Sequence, residues 1–129
     1  MTLIIGGAYQ GKTEFAAKQF GFAESEISDG SDKIEILLSA KCIRNFENFI
    51  FAITENGDDP IEKTAAILSQ NPDVVIIMNE VGGGIIPIEK IERKKREAAG
   101  QTGCMLAEKA ETVVRLVCGI PTVLKGRLQ

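Results

Sequence analysis

Apolar residues fall into two kinds of run along this chain. Some are short and nearly continuous; others recur at spacings of three and four. Residues 2–6 (TLIIG) and 73–78 (DVVIIM) are of the first kind. Continuous β-branched runs bounded by turn residues predict strands covered on both faces, as in a parallel sheet. Residues 34–39 (IEILLS) and 112–118 (TVVRLVC) predict two more, and 122–125 (TVLK) a short last one. The helical kind begins at 13–21, where Phe15, Ala16, Gln19 and Phe20 share a face and Gly21 supplies a stop. Residues 43–54 place Ile43, Phe46, Phe49, Ile50 and Ile53 at helical spacing, although their aromatic content also suits a strand. Asp59 and Pro60 form an N-cap and first-turn pair, opening a helix that runs to Gln70 and ends at Asn71-Pro72. Residues 87–109 predict one long charged helix, or two broken at Gly100 and Gly103, and 25–33 a polar loop. Strands alternating with helices predict an α/β fold with a mainly parallel sheet.

Composition narrows the chemistry. With 44% hydrophobic and 26% charged residues, 129 residues suit a single soluble domain spanning 1–129. The net charge of −3 and the absence of Trp argue against a broad nucleic-acid surface. The chain contains no histidine, which excludes Ser-His-Asp and Cys-His catalysis and imidazole metal sites. Cys42, Cys104 and Cys118 are odd in number and lack CxxC spacing, so reduced thiols in a cytoplasmic protein are expected. No basic leader precedes the first apolar run, and no stretch reaches the roughly 18 apolar residues of a membrane span.

The strongest motif is Gly6-Gly7-Ala8-Tyr9-Gln10-Gly11-Lys12-Thr13, which fits G-x-x-x-x-G-K-[ST] at every required position. A strand enters it and a helix leaves it, the context the chemistry needs. Glycines let several backbone N–H groups turn toward one phosphate, and the helix start adds its dipole. Lys12 would reach the β- and γ-phosphates of ATP or GTP, and the Thr13 hydroxyl would ligate Mg²⁺. The fold is therefore expected to be a P-loop NTPase-like three-layer sandwich. An acidic partner is needed at a neighbouring strand end, and Glu80, directly after the 73–78 run and Asn79, is the candidate for metal binding and catalysis. It opens a stretch with three glycines, Gly82 to Gly84, able to lie close to a ligand. The basic residues Lys90, Arg93, Lys94, Lys95 and Arg96 alternate with glutamates; Glu89/Arg93 and Glu92/Arg96 have i,i+4 spacing. They describe a solvated helix face, with Arg93 or Arg96 touching a phosphate as the alternative.

The order GGAYQGKT, NEVGGGIIP at 79–87, Arg93 and Arg96 with Ala99-Gly100, Leu106-Ala107, then Gly119-Ile120-Pro121 with Leu124-Lys125 resembles the adenosylcobinamide kinase/adenosylcobinamide-phosphate guanylyltransferase family of cobalamin biosynthesis. The resemblance implies a homotrimeric P-loop enzyme. Such an enzyme phosphorylates the cobinamide hydroxyl with ATP or GTP, then transfers GMP through a guanylylated histidine. It also implies Gly6, Gly7, Gly11, Lys12 and Thr13 as the nucleotide loop and Glu80 as the acid of the NEVG motif. This chain is shorter, lacks the segment after the first helix, and has no histidine to guanylylate. Tyr9 and Gln10 replace the family's arginine and serine, and Gly103-Cys104 its asparagine and glutamine. Lys41 stands where a second strand-end aspartate is expected, which predicts a cation competing with Mg²⁺. The reading is a cobinamide-kinase-like phosphotransferase without guanylyl transfer, soluble, with a nucleotide and adenosylcobinamide as partners. The alternative is a nucleotide-binding pseudoenzyme with a regulatory or scaffolding role. A P-loop ATPase acting on nucleic acid is the third option.

Overall fold

The computed structural model describes residues 1–80 and 89–128. Strand β1 (Thr2–Gly6) leads into helix α1 (Lys12–Phe20). Then come β2 (Ile27–Asp29), the short α2 (Ile34–Leu37), β3 (Cys42–Arg44), α3 (Phe46–Glu55) and α4 (Pro60–Gln70). The chain ends with β4 (Val75–Asn79), α5 (Lys90–Lys109), β5 (Thr112–Val117) and β6 (Ile120–Lys125). The six strands form one sheet in the order β2-β3-β4-β1-β5-β6. Every pairing is parallel except β5 with β6. The expected mainly parallel α/β sandwich is what the chain forms.

Alternation along the buried strands sends side chains to two cores. Leu3, Ile43, Ile76, Met78 and Val113 face the side covered by α3, α4 and α5. Ile4, Cys42, Val75, Ile77, Val114 and Leu116 face α1 and its Ala16. Strands covered on both faces leave no polar alternation to read, which is why 2–6 and 73–78 look continuously apolar.

Local signals explain several boundaries. Gly21 ends α1 with φ +72, and its N–H bonds the Ala17 carbonyl. Asp59 caps α4 by accepting from the Ile61 N–H at 2.9 Å, with Pro60 at the first helical position. Helix α5 runs unbroken through Gly100 and Gly103 for 20 residues, about 30 Å. A Cβ at Gly103 would lie 4.0 Å from the Met78 sulfur, ordinary contact distance, so the close approach of α5 to the sheet there does not require glycine. Among the described residues, no helix is long and apolar enough to cross a membrane.

Four expectations need correction. Residues 34–39 are not a strand: Ile34–Leu37 form a helical turn that buries Leu37 and leaves Ile34 and Ile36 exposed. The strand of this region is Ile27–Asp29, inside the stretch expected to be a polar loop. It is an edge strand of three half-buried residues, so it carries no apolar run, and its pairing with β3 alone makes it a strand. Residues 43–54 are both a strand end and a helix. Cys42–Arg44 join the sheet, Asn45 turns the chain with φ +52, and Phe46–Glu55 form α3. The last strand is also longer than expected: it starts at Ile120 and returns through a two-residue turn, Cys118-Gly119, with φ +51 and +77. Two positive φ values match the hairpin turn that follows strand twist.

The thiols differ sharply. Cys42 is buried in the α1-side core, and burial pushes its thiol up to about 12, with Arg44 pulling weakly the other way. Cys104 and Cys118 are exposed. Because the thiolate is the reactive form, a disulfide-reagent titration of native protein is expected to count two fast thiols. The third should appear only after unfolding; three fast thiols without denaturant would contradict the Cys42 environment.

Candidate active site

Parallel strands bring their C-terminal ends to one edge, where ligands of open α/β sheets bind. On this edge β1 ends at Gly6, β4 at Asn79, β3 at Arg44 and β2 at Asp29. The loop Gly7 to Gly11 springs from β1 and enters α1 at Lys12. Gly11 caps that helix with φ +84, a conformation costly for any side chain. A Cβ at Gly6 would lie 2.6 Å from the Leu116 carbonyl oxygen, so only glycine lets β1 leave the sheet so close to β5. The Glu80 N–H bonds the Gly6 carbonyl at 2.9 Å, joining the end of β4 to the loop. On the other side, the Gly119 N–H bonds the Gln10 carbonyl at 3.0 Å, and the Cys118 N–H bonds the Gln10 side-chain oxygen. The β5–β6 hairpin turn thus braces the loop, a packing role for Gly119 that its distance in sequence from residue 10 conceals.

The loop borders a cavity of about 320 Å³ lined by Ala8 to Glu14 and, opposite, by Asn45, Ile77 and Asn79. Lys12 is 7% exposed, and its Nζ donates to the Gly7 carbonyl at 2.6 Å. Burial lowers its pKa from the ordinary lysine value, while the Glu47 and Glu80 carboxylates work to raise it. Thr13, in the first turn of α1, lines the same cavity, whereas Tyr9 is fully exposed. Of the residues proposed from the motif, Ala8, Tyr9, Gln10, Gly11, Lys12 and Thr13 all line this cavity, with Gly6 ending the entry strand and Gly7 starting the loop.

Glu80 lies beside the loop but is not free of partners. Arg115 on β5 grips it, Nε donating to Oε1 at 2.7 Å and Nη2 to Oε2 at 3.2 Å. Two parallel bonds fix the direction of a half-exposed carboxylate. The glycine-rich stretch after Glu80 lies outside the described residues.

Lys41 does not reach this edge. It precedes β3, and its carbonyl accepts from the Val75 N–H at the start of β4, the opposite end of the sheet. The length of a five-residue strand separates that end from the loop, about 15 Å. Lys41 pairs there with Glu26. The expected competition with Mg²⁺ is therefore overturned, and the strand end beside the site belongs to Arg44 and Asn45 instead.

Two acidic residues missed by sequence reasoning stand on the functional edge. Glu47, in the first turn of α3, is 7% exposed and accepts from Asn79 twice: from the backbone N–H at 3.0 Å and from Nδ2 at 2.9 Å. Asp29, at the end of β2, accepts from Asn45 Nδ2 at 2.9 Å. Burial would raise the Asp29 pKa, but hydrogen bonds from Ser31, Asn45 and Asn48 outweigh it and hold the carboxyl below its ordinary value. Their signal is the β3–α3 junction, which disappears when 34–39 is read as the strand. The charged run of α5 is anchored differently from its i,i+4 spacing. Lys95 pairs with Glu55 of α3 at 3.2 Å and with Glu92 at 3.4 Å, its ammonium 6.0 Å from the centre of the Phe51 ring. Arg93 is exposed and does not line the loop cavity.

A strand, a G-x-x-x-x-G-K-T loop and a helix on a parallel sheet define the P-loop NTPase class of α/β domain. The chain belongs to the cobinamide kinase / cobinamide phosphate guanyltransferase family, whose sequence profile matches residues 27–124. That match begins after the phosphate loop, so the loop rests on its own residues and geometry. The chain is 36% identical over 81 residues to the bifunctional adenosylcobalamin biosynthesis protein CobU of Salmonella typhimurium, covering 61% of this chain and 45% of that protein. It is 34% identical over 53 residues to CobP of Pseudomonas aeruginosa, described in the same words, covering 41% of this chain and 31% of that one. The chain thus matches less than half the length of either relative.

Proposed function

We propose that this chain is the kinase-type part of its family's chemistry. It binds ATP or GTP with Mg²⁺ and transfers the γ-phosphoryl group to a small-molecule hydroxyl, that of adenosylcobinamide. One observation carries the reading: buried Lys12 and half-buried Thr13 open α1 at the sheet edge and face Asn79, the end of β4, across one cavity, with the charge of Glu80, the next residue, acting on Lys12. Such a loop binds phosphate through its amides, and the reaction needs mainly positioning and charge neutralisation. The donor set suits Mg²⁺, which prefers hard oxygen ligands. The Thr13 hydroxyl would ligate it directly and Glu80 through water. The bound ion would neutralise charge on the β- and γ-phosphates.

Histidine-linked guanylyl transfer has no residue to use in this chain, so only phosphoryl transfer is proposed. The pseudoenzyme reading loses one of its supports now that Lys41 lies at the far end of the sheet. A homotrimer and a cytoplasmic setting remain expectations from the resemblance and from thiol usage. The test is turnover. Purified protein with ATP or GTP, Mg²⁺ and cobinamide should form cobinamide phosphate, and Lys12→Ala should not. Nucleotide binding without any product would replace the kinase with a binding protein.

A further inference from the structure

The cavity wall opposite the phosphate loop is built in an unexpected way. It presents two asparagines, Asn45 and Asn79, and each has a carboxylate bonded to its amide nitrogen. Asn79 is held twice by Glu47, at the backbone N–H and at Nδ2. Asn45 is held by Asp29 and fixed in a left-handed backbone conformation, φ +52. An ionised carboxylate can only accept hydrogen bonds. Each amide must therefore turn its Nδ2 toward the carboxylate and its Oδ1 away from it. The carboxylates thus set the amide orientation that would otherwise be free to flip.

From this we propose that Asn45 and Asn79 present their carbonyl oxygens to the loop as a pair of neutral hydrogen-bond acceptors that receive O–H donors, with Glu47 and Asp29 as positioning residues. Neutral oxygens suit this place. A carboxylate there would repel a polyphosphate, whereas an amide NH₂ has no lone pair with which to receive an O–H. The O–H donors have two sources of the same chemistry: waters on a nucleotide-bound Mg²⁺, or the hydroxyl of the phosphoryl acceptor. The inference rests on the nucleotide reading above and adds which residues read the donor.

Glu47→Gln tests it with almost no change of shape. The oxygen of the introduced amide can keep the bond from the backbone N–H of Asn79, which leaves the new NH₂ facing the Asn79 side chain. Asn79 must then flip, turning an acceptor into a donor at the cavity. The expected result is a loss of about tenfold, with the thermal midpoint within a few degrees of wild type. A loss in affinity for a fluorescent Mg²⁺-nucleotide that vanishes in EDTA assigns the donors to metal-bound water. A loss confined to kcat/KM for cobinamide assigns them to the acceptor hydroxyl. Glu47→Asp, which keeps an acceptor-only carboxylate behind the Asn79 amide, should hold most of the wild-type value. A glutamate kept only for its shape would be served better by Gln than by the shorter Asp. Should Glu47→Gln fail to fold, Asp29→Asn makes the same inversion at the half-exposed end of β2. The inference is overturned if wild type binds and the folded Glu47→Gln variant matches it within twofold in both measurements, or if Glu47→Asp loses as much as Glu47→Gln. Absence of Mg²⁺-nucleotide binding by wild type overturns the nucleotide reading and takes the inference with it.

Discussion

Lys12→Ala is expected to lower affinity for an Mg²⁺-purine triphosphate by about 100-fold or more and to remove turnover. Among the described residues lining the loop cavity, Lys12 is the one cation. It is nearly excluded from water, so its charge acts on a bound phosphate with little screening. Its Nζ already sits on the loop, 2.6 Å from the Gly7 carbonyl, so little side-chain freedom is lost on binding. The fold should survive, because the charge is costly to bury and the alanine keeps α1. Lys12→Met, which keeps the stem, separates charge from packing and should fail to the same degree. Calorimetry on folded variants checks this. Wild-type affinity in either variant would mean that the loop does not use its lysine and that the phosphate site lies elsewhere.

The second large effect is on stability. Phe46→Ala should cost about 3–5 kcal/mol, read from urea unfolding, out of the roughly 5–15 kcal/mol available to a domain. Phe46 is fully buried, is the first residue of α3, and packs against Phe49 with ring centres 5.3 Å apart. It also stands between Asn45 and Glu47, so its loss loosens the junction that positions both. Nucleotide affinity should therefore fall even at temperatures where the variant is folded. Phe20→Ala is the contrast. Phe20 is 38% exposed and stacks on Phe22, so about 1 kcal/mol is expected there. A Phe46 variant no less stable than the Phe20 variant would refute this account of the core.

The difference between Lys41 and Glu47 shows where sequence reasoning stops. One precedes and the other follows the same short strand, β3, by a few residues. A strand has two ends, and only its direction in the sheet says which end meets the phosphate loop. The parallel register of β3 on β4 puts residue 41 at one edge and residues 45–47 at the other. Reading 34–39 as the strand shifts the whole edge and makes a lysine look like a site residue. Arg115 is similar: it reads as a polar interruption of TVVRLVC, and only the pairing of β5 beside β1 brings it to Glu80.

What the chain's own order determined was local. The phosphate loop is eight consecutive residues whose backbone must curl as it does, and its glycines and flanking strand and helix all fall between Thr2 and Phe20. The Asp59-Pro60 helix start, the Gly21 stop and the two doubly covered strands are likewise decided by neighbours in sequence. Tertiary structure decided whatever depends on contacts across the chain: which three residues of a polar stretch become an edge strand, which carboxylates stand behind Asn45 and Asn79, and which turn, 108 residues away in sequence, braces Gln10. The physical reason is that a turn or cap is satisfied by bonds a few residues long, whereas a strand's ladder and a buried carboxylate's partners come from whatever segment the sheet places beside them.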